Sequence, residues 1–358
     1  MTATQRLTPM ARTLSHAADA HALRAHPELT FRIAGSSTTP SIRYEIKTGG
    51  NQSTYTVTDG KSTLSASLLW AFGTPRIGQS YLFKKEDGHF YEARVTYFEH
   101  LQKLDFTPSR ALTSPASLSE AMYREVDPTE VSRCFACHST ASSTSGQFDE
   151  KSMVPGVTCE ACHGPGARHV ALMQSPLQNA VQGSVAAPAG SDAAFKSDAT
   201  SSASGIYNAA YLSPADSVDY CGSCHGAWWD VKLAGVRGPS TARSAPYRLV
   251  TSKCWGKGDA RLTCTACHDP HVQLQTESAA YDHVCLQCHA ASIIGVHTAD
   301  TPEKAAGKAS LKAAGKACPV QSSKCTSCHM QKVYVPEMHD VFTDHRIRIA
   351  RAGEIFPE

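Results

Sequence analysis

Between residues 28 and 108 the chain alternates apolar and polar side chains. Ile42, Tyr44 and Ile46 are interleaved with Arg43, Glu45 and Lys47, the period of two expected of a half-buried strand. Residues 54–58 run into Asp59-Gly60 and the pattern resumes over 61–70, which predicts a hairpin closed by a primed turn. Tyr81-Leu82-Phe83, then Asp87-Gly88, then 90–98 predict further antiparallel strands. Before them, residues 1–27 form a polar arm that reads as helical and carries Met10, His16, His21 and His26. From 109 to 358 the pattern changes to short helices between loops: one helix over 115–131, a Ser/Thr-rich loop over 139–147, an Ala/Ser/Gly-rich surface excursion over 175–205 and an exposed Ala/Lys helix over 302–317. The expected class is α+β, with an antiparallel β domain over 28–108 followed by a mostly helical and coil domain over 109–358.

That second domain is organised by a pentapeptide. CxxCH occurs six times, at Cys134/Cys137/His138, Cys159/Cys162/His163, Cys221/Cys224/His225, Cys264/Cys267/His268, Cys285/Cys288/His289 and Cys325/Cys328/His329. This is the signature of covalent c-type haem attachment. Cysteines at i and i+3 share one side of a helical turn, so both thiols reach the vinyl carbons of one porphyrin. The histidine at i+4 lies on that side and ligates the iron. Zinc sites also use CxxC pairs, but zinc does not require a histidine directly after every second cysteine. The expected cofactor is six haem c.

Composition changes the picture in three ways. Aromatic residues make up only 8% of the chain, so the porphyrins are expected to supply much of the apolar core of the second half. The polypeptide charge of +2 suggests no nucleic-acid or membrane-surface partner, and the haem propionates turn the loaded protein acidic. Fourteen cysteines leave Cys254 and Cys318 outside the motifs. Haem attachment of this kind takes place outside the cytoplasm, where disulfides persist, and a Cys254–Cys318 bridge competes there with two buried free thiols. The expected location is the periplasm or the extracellular space. No run approaches the roughly 18 apolar residues of a spanning helix. The first residues lack the apolar stretch of a secretory signal, so a mature or truncated form, or a misplaced start, is expected.

Six irons need six more axial groups if each is six-coordinate. His169, His271, His283, His297, His339 and His345 are the non-motif histidines of the second domain. His271 follows His268 by three residues and cannot pass round the porphyrin to its own iron, so as a ligand it serves a neighbour. His169, in CHGPGARH, is in the same position. His283 lies two residues before Cys285, where buttressing that haem competes with ligation. Met10 and His16 of the arm are substitutes, and a methionine ligand would raise the potential of its haem. Trp228, Trp229, Trp255, Arg237, Arg243 and Arg248 suit haem edges and propionates, with ordinary surface arginines as the competing reading.

With these residues in place, the chain resembles the multihaem cytochrome c superfamily that includes hydroxylamine oxidoreductase and the ammonia-forming nitrite reductase. The similarity is carried by CHGPGARHV (162–170), LTCTACHDPH (262–271), CLQCH (285–289), CTSCHMQKV (325–333) and FTDHRIRI (342–349). The segment 68–108 is similar to a β insertion that precedes the haem domain in some bacterial members. The resemblance implies that His169, His271, His297 and one or both of His339 and His345 are distal ligands. It also sets Met10, in LTPMAR, at the place of a ligand histidine that follows an N-terminal CxxCH in relatives. Here no such motif precedes it, which implies a missing first haem segment. Gln331 stands where relatives usually carry proline.

The expected function is electron transport through six covalently bound haems, mostly bis-His. An iron with two histidines has no vacancy for substrate, so a carrier rather than an enzyme is favoured. The nitrite reductases of the superfamily use CxxCK, which does not occur here. Two alternatives stand beside it: a multihaem oxidoreductase with one open haem acting on a small nitrogen or sulfur compound, and a subunit of an extracellular cytochrome filament. The partners implied are other cytochromes, a membrane quinol oxidase or a terminal reductase, with self-assembly in the filament case.

Overall fold

The computed structural model describes residues 2–35, 40–108, 115–174, 205–255, 262–289, 323–351 and 353–357. The chain is α+β, as its pattern predicts, and divides into two units. Unit 1 comprises Met1–Cys162, Pro270–Gln273 and Tyr334–Val341; unit 2 comprises His163–Asp269, Leu274–Val333 and Phe342–Glu358.

Unit 1 begins with two short helices, α1 (Thr2–Gln5) and α2 (His21–Ala25). Its strands are β1 (Leu14–His16), β2 (Glu28–Ile33), β3 (Ile42–Gly49), β4 (Gln52–Thr58), β5 (Thr63–Leu68), β6 (Trp70–Phe72), β7 (Ser80–Lys84), β8 (Phe90–Ala93), β9 (Val95–Phe98), β10 (Lys103–Phe106) and β11 (Tyr123–Glu125). One sheet has the order β2-β3-β4-β5, a second has β1-β6-β7-β8-β11, and β9 pairs with β10. The alternation behaves as expected on β3 and β4. Tyr44 lies opposite Val57 and Ile46 opposite Tyr55, all four are fully buried, and Arg43 and Lys47 point outward. These four share one apolar cluster with Ala71, Tyr81, Phe83 and Tyr91 of the second sheet, so the two sheets bury one core.

Three expectations need correction. The arm is helical in short turns, as expected, but not throughout, because between them Leu14, Ser15 and His16 pair with Phe72, Ala71 and Trp70; three residues are too short a run for the period to register. The hairpin loop is not a primed turn. It spans four residues, with Thr58 opposite Thr63, because the Asp59 carboxylate accepts the N–H groups of Lys61 (2.8 Å) and Ser62 (2.7 Å) and closes the loop itself. The single helix over 115–131 is broken into α3 (Leu118–Met122), β11 and α4 (Pro128–His138). Pro128 disfavours helical backbone at the residue before it. It starts α4 at N1, with the Asp127 carboxylate capping the Thr129 N–H at 2.8 Å.

α4 carries the first motif on its last turn. Phe135, between the two cysteines, is fully buried in a second cluster with Leu14, Trp70, Leu82, Phe90, Val131 and Met153. The helix is thereby anchored by its apolar side, and Cys134, Cys137 and His138 stay half-buried. Residues 10–13 run beside this helix: the Gly156 N–H donates to His138 O at 3.1 Å, and the Val157 N–H to Met10 O at 3.0 Å. At Gly156 φ is +82° and an added Cβ would stand 2.0 Å from Ala11 O. Gly156→Ala is therefore expected to cost about 2 kcal/mol or more, combining the left-handed penalty with displacement of backbone. A denaturation midpoint equal to that of the parent would refute this.

The remaining helices are α5 (Cys159–His163), α6 (Ala167–Gln174), α7 (Pro214–His225), α8 (Trp228–Leu233), α9 (Ala245–Val250), α10 (Cys264–Cys267), α11 (Asp282–His289) and α12 (Cys325–His329). Both apolar clusters found among the described residues lie in unit 1. In unit 2 the buried apolar side chains among the described residues include Val218, Val231, Ala242, Tyr247, Leu249 and Val333, while Trp229 and Leu233 are 68% and 84% exposed. Among the described residues no helix is long and apolar enough to cross a membrane. His297, Cys318 with its expected disulfide, the 302–317 helix and nearly all of the 175–205 excursion lie outside the described residues.

Candidate haem centres

Every motif sits on a helical turn. α4, α7 and α11 end on His138, His225 and His289; α5 and α12 are the motifs themselves; α10 holds Cys264 to Cys267. The sequence treats the twelve motif thiols alike, and the fold does not. Cys134, Cys137, Cys162, Cys221, Cys264, Cys285 and Cys325 are half-buried, whereas Cys159, Cys224, Cys267 and Cys328 are exposed. Cys224, Cys267 and Cys328 are the second cysteines of their motifs, at or next to the last residue of α7, α10 and α12. A helix end has fewer side chains around it, so these thiols are less enclosed than the first cysteines of the same motifs. In two of them the preceding serine lies against the sulfur: Ser223 Oγ is 3.8 Å from Cys224 Sγ, and Ser327 Oγ 3.8 Å from Cys328 Sγ. The backbone of Cys288 belongs to α11, but its side chain lies outside the described residues, so the fifth motif is described through Cys285 and His289.

In unit 2 the motif turns meet in pairs. The Cys264 thiol is hydrogen-bonded to the Cys221 sulfur, which pushes Cys264 up and Cys221 down in pKa. The Cys285 and Cys325 sulfurs are also hydrogen-bonded, and burial, the Asp282 carboxylate and Cys285 together push Cys325 up to about 12. Asp282, the first residue of α11, accepts the N–H groups of Lys324 (2.6 Å) and Cys325 (2.8 Å) at the start of α12. Those two bonds hold its carboxyl below the usual range. Its carboxylate thus joins the helices of the fifth and sixth motifs.

Two of the motif histidines set Nδ1 against a carbonyl: Nδ1 of His163 lies 2.8 Å from Tyr207 O and Nδ1 of His329 lies 3.1 Å from Arg348 O. Nδ1 of His138 is instead nearest the Thr13 hydroxyl, at 2.6 Å. A carbonyl only accepts, so in His163 and His329 Nδ1 carries the proton. A metal-bound imidazole oriented from its far side has this tautomer. Among the described residues no three His, Cys, Asp or Glu side chains gather as a metal cluster, whereas a tetrahedral zinc site needs four such donors. The chemistry of the donors fits haem: paired thiols, an imidazole directly after them, and exposed apolar side chains such as Trp229 and Leu233 among the described residues of unit 2.

The distal candidates separate by geometry. His345 has Nδ1 3.0 Å from Thr343 O, and its ring centroid is 6.2 Å from that of His268. Two imidazoles bound on opposite sides of one metal, each at about 2 Å, have centroids about 6 Å apart. His339 instead turns Nε2 to Asp105 Oδ2 at 3.6 Å, packs edge-on against Phe98 at 4.8 Å and has φ +51°. His283 is exposed, with Nδ1 2.9 Å from Ala280 O. His169 is half-buried on α6. His271 belongs to unit 1, although His268 belongs to unit 2. Met10 is half-buried in unit 1, with its carbonyl on the backbone that leads to the second motif. His16 is stacked on Trp70 at 4.1 Å. Of the arginines expected at propionates, Arg248 is fully buried and engaged by Asp344, which the sequence does not reveal.

Burial, with His268 next to it, lowers His345 to about 4. Burial also lowers His225 and His268.

A family model described as "Cytochrome c554 and c-prime" matches residues 93–164, the stretch from the end of β8 through the second motif. Searches of curated proteins and of solved structures return no match. The family match supports a c-type cytochrome, with covalently bound haem c and electron transport as its chemistry.

Proposed function

We propose that this c-type cytochrome carries electrons one at a time through six haem c groups, each bonded at one CxxCH and ligated by the histidine that closes it. The observation that carries the reading is the contact between attachment sulfurs in unit 2, Cys221 with Cys264 and Cys285 with Cys325. Anchors that touch require neighbouring porphyrins, and neighbouring redox centres are what a carrier needs. Each haem supplies a one-electron iron couple. The chain supplies the thioether anchors, the oriented Nε2 lone pairs and the apolar cover.

His345 is the distal ligand of the haem at Cys264 and Cys267, opposite His268. His169, His271 and His297 serve other irons, with Met10, His283 and His339 as the remaining candidates. The likeness to the hydroxylamine oxidoreductase and nitrite reductase superfamily belongs to this proposal. So do a periplasmic or extracellular location and redox-protein partners. Intact-mass measurement and magnetic circular dichroism of the purified protein test it. Six haem additions and low-spin ferric spectra that ignore nitrite, hydroxylamine and cyanide are expected. Fewer additions, or a high-spin ferric signal that moves with those compounds, would overturn the hexahaem carrier and favour an open-haem oxidoreductase.

A further inference from the structure

A buried arginine in unit 2 is unexplained by haem attachment. Arg248 and Asp344 are both 0% exposed and form a fork: Nε donates to Oδ1 at 2.7 Å and Nη2 to Oδ2 at 2.8 Å. Nη1 donates to Pro357 O at 2.9 Å, and the Phe356 ring lies 4.5 Å from the guanidinium carbon. Desolvating two charges is costly, and such a pair adds little net stability over apolar residues of the same shape. What a fork provides is orientation, since it fixes the plane of the carboxylate as well as its distance.

The oriented group is the residue before His345. The Asp344 N–H donates to Gln331 O at 2.8 Å, and its Oδ1 also accepts the Arg346 N–H at 3.0 Å. Two residues beyond α9, Ser252 Oγ accepts the Ile347 N–H at 2.8 Å and donates to His345 O at 3.4 Å. Residues 344–347 are thus held at both ends by the segment that carries Arg248 and Ser252. α9 is itself tied to the third motif, because the Tyr247 N–H donates to Gly226 O at 3.2 Å, directly after His225.

We propose that Arg248 is a positioning residue: through its fork on Asp344 it holds the His345 imidazole on the iron of the haem attached at Cys264 and Cys267. The inference rests on the ligand assignment proposed above. Lysine keeps the charge and loses the fork, so Arg248→Lys isolates orientation from charge.

The test uses the full haem-loaded chain. Arg248→Lys is expected to keep six haem additions by mass while roughly a sixth of the ferric haem turns high-spin in magnetic circular dichroism, one centre of six; added imidazole should return it to low spin. A purely structural role would lower the unfolding midpoint and leave every iron low-spin. Six attached haems with wholly low-spin spectra would therefore overturn the proposal. Should Arg248→Lys lose haem on maturation, Asp344→Asn, which keeps shape and removes charge, is read by the same two outcomes. His345→Ala separates the two layers. If it too leaves all irons low-spin, the ligand assignment is wrong; if it yields one high-spin haem while Arg248→Lys does not, only the positioning role fails.

Discussion

A chain whose twelve motif cysteines are replaced by serine is expected to keep the β core of unit 1 and lose the fold of unit 2. Unit 1 has its own apolar interior: Tyr44, Ile46, Tyr55, Val57, Tyr81 and Phe83 are all at or near complete burial between two sheets. Unit 2 buries few apolar side chains among those described and exposes Trp229 and Leu233. Its motif helices α10 and α12 have four and five residues, too short to persist without tertiary contacts. On the proposed attachment the porphyrins fill the interior of unit 2, and their removal takes away far more contact than a large-to-small core substitution, which alone costs about 2–5 kcal/mol. Hydrogen exchange should show protected amides on β3 and β4 and unprotected ones on α7, α9 and α12. Equal protection in both units would mean that unit 2 has a polypeptide core of its own.

Arg248→Leu is expected to destabilise unit 2 by about 3–5 kcal/mol, because it strands the Asp344 carboxylate in a place without solvent. That is a large share of the roughly 5–15 kcal/mol that typically separates folded from unfolded states. The same substitution frees Pro357 O and removes the partner of the Phe356 ring. Combining it with Asp344→Leu should recover most of the loss, since two apolar groups leave no uncompensated charge. Urea unfolding of the parent, the single and the double variant checks this. A single variant within about 0.5 kcal/mol of the parent, the range of ordinary surface changes, would show that water reaches the pair.

The features legible in the sequence are those whose cause is local. Alternation at 42–47 reports a buried face because neighbouring strand residues face opposite ways. Its silence at 14–16 has the same origin: three residues hold too little of the pattern, and β1 forms only because β6 offers an edge. The 59–62 loop departs from the expected turn because an Asp-Gly pair signals a reversal, while the number of residues in it depends on where the Asp59 carboxylate finds donors. The 115–131 helix ends at Met122, where Tyr123–Glu125 pair with β8 instead, and Pro128, which disfavours helical backbone at the residue before it, opens a separate helix.

The candidate haem centres divide along the same line. CxxCH packs two thiols and an imidazole into five residues on one turn, so the sequence alone determined which cysteines and which histidine stand together at each of its six occurrences. It was also enough to point to covalently bound haem c, which the family match supports. How enclosed each thiol is, from half-buried Cys221 to exposed Cys224 within one motif, depends on what packs over the end of its helix. Only the tertiary structure separates His339 from His345, turning the Nε2 of one toward the Asp105 carboxylate and setting the ring of the other with its centroid 6.2 Å from that of His268. It alone brought Arg248 to Asp344, 96 residues away, and set Cys221 against Cys264. A pair of side chains distant along the chain leaves no periodicity or spacing to read, and comes together only when the backbone between them has folded.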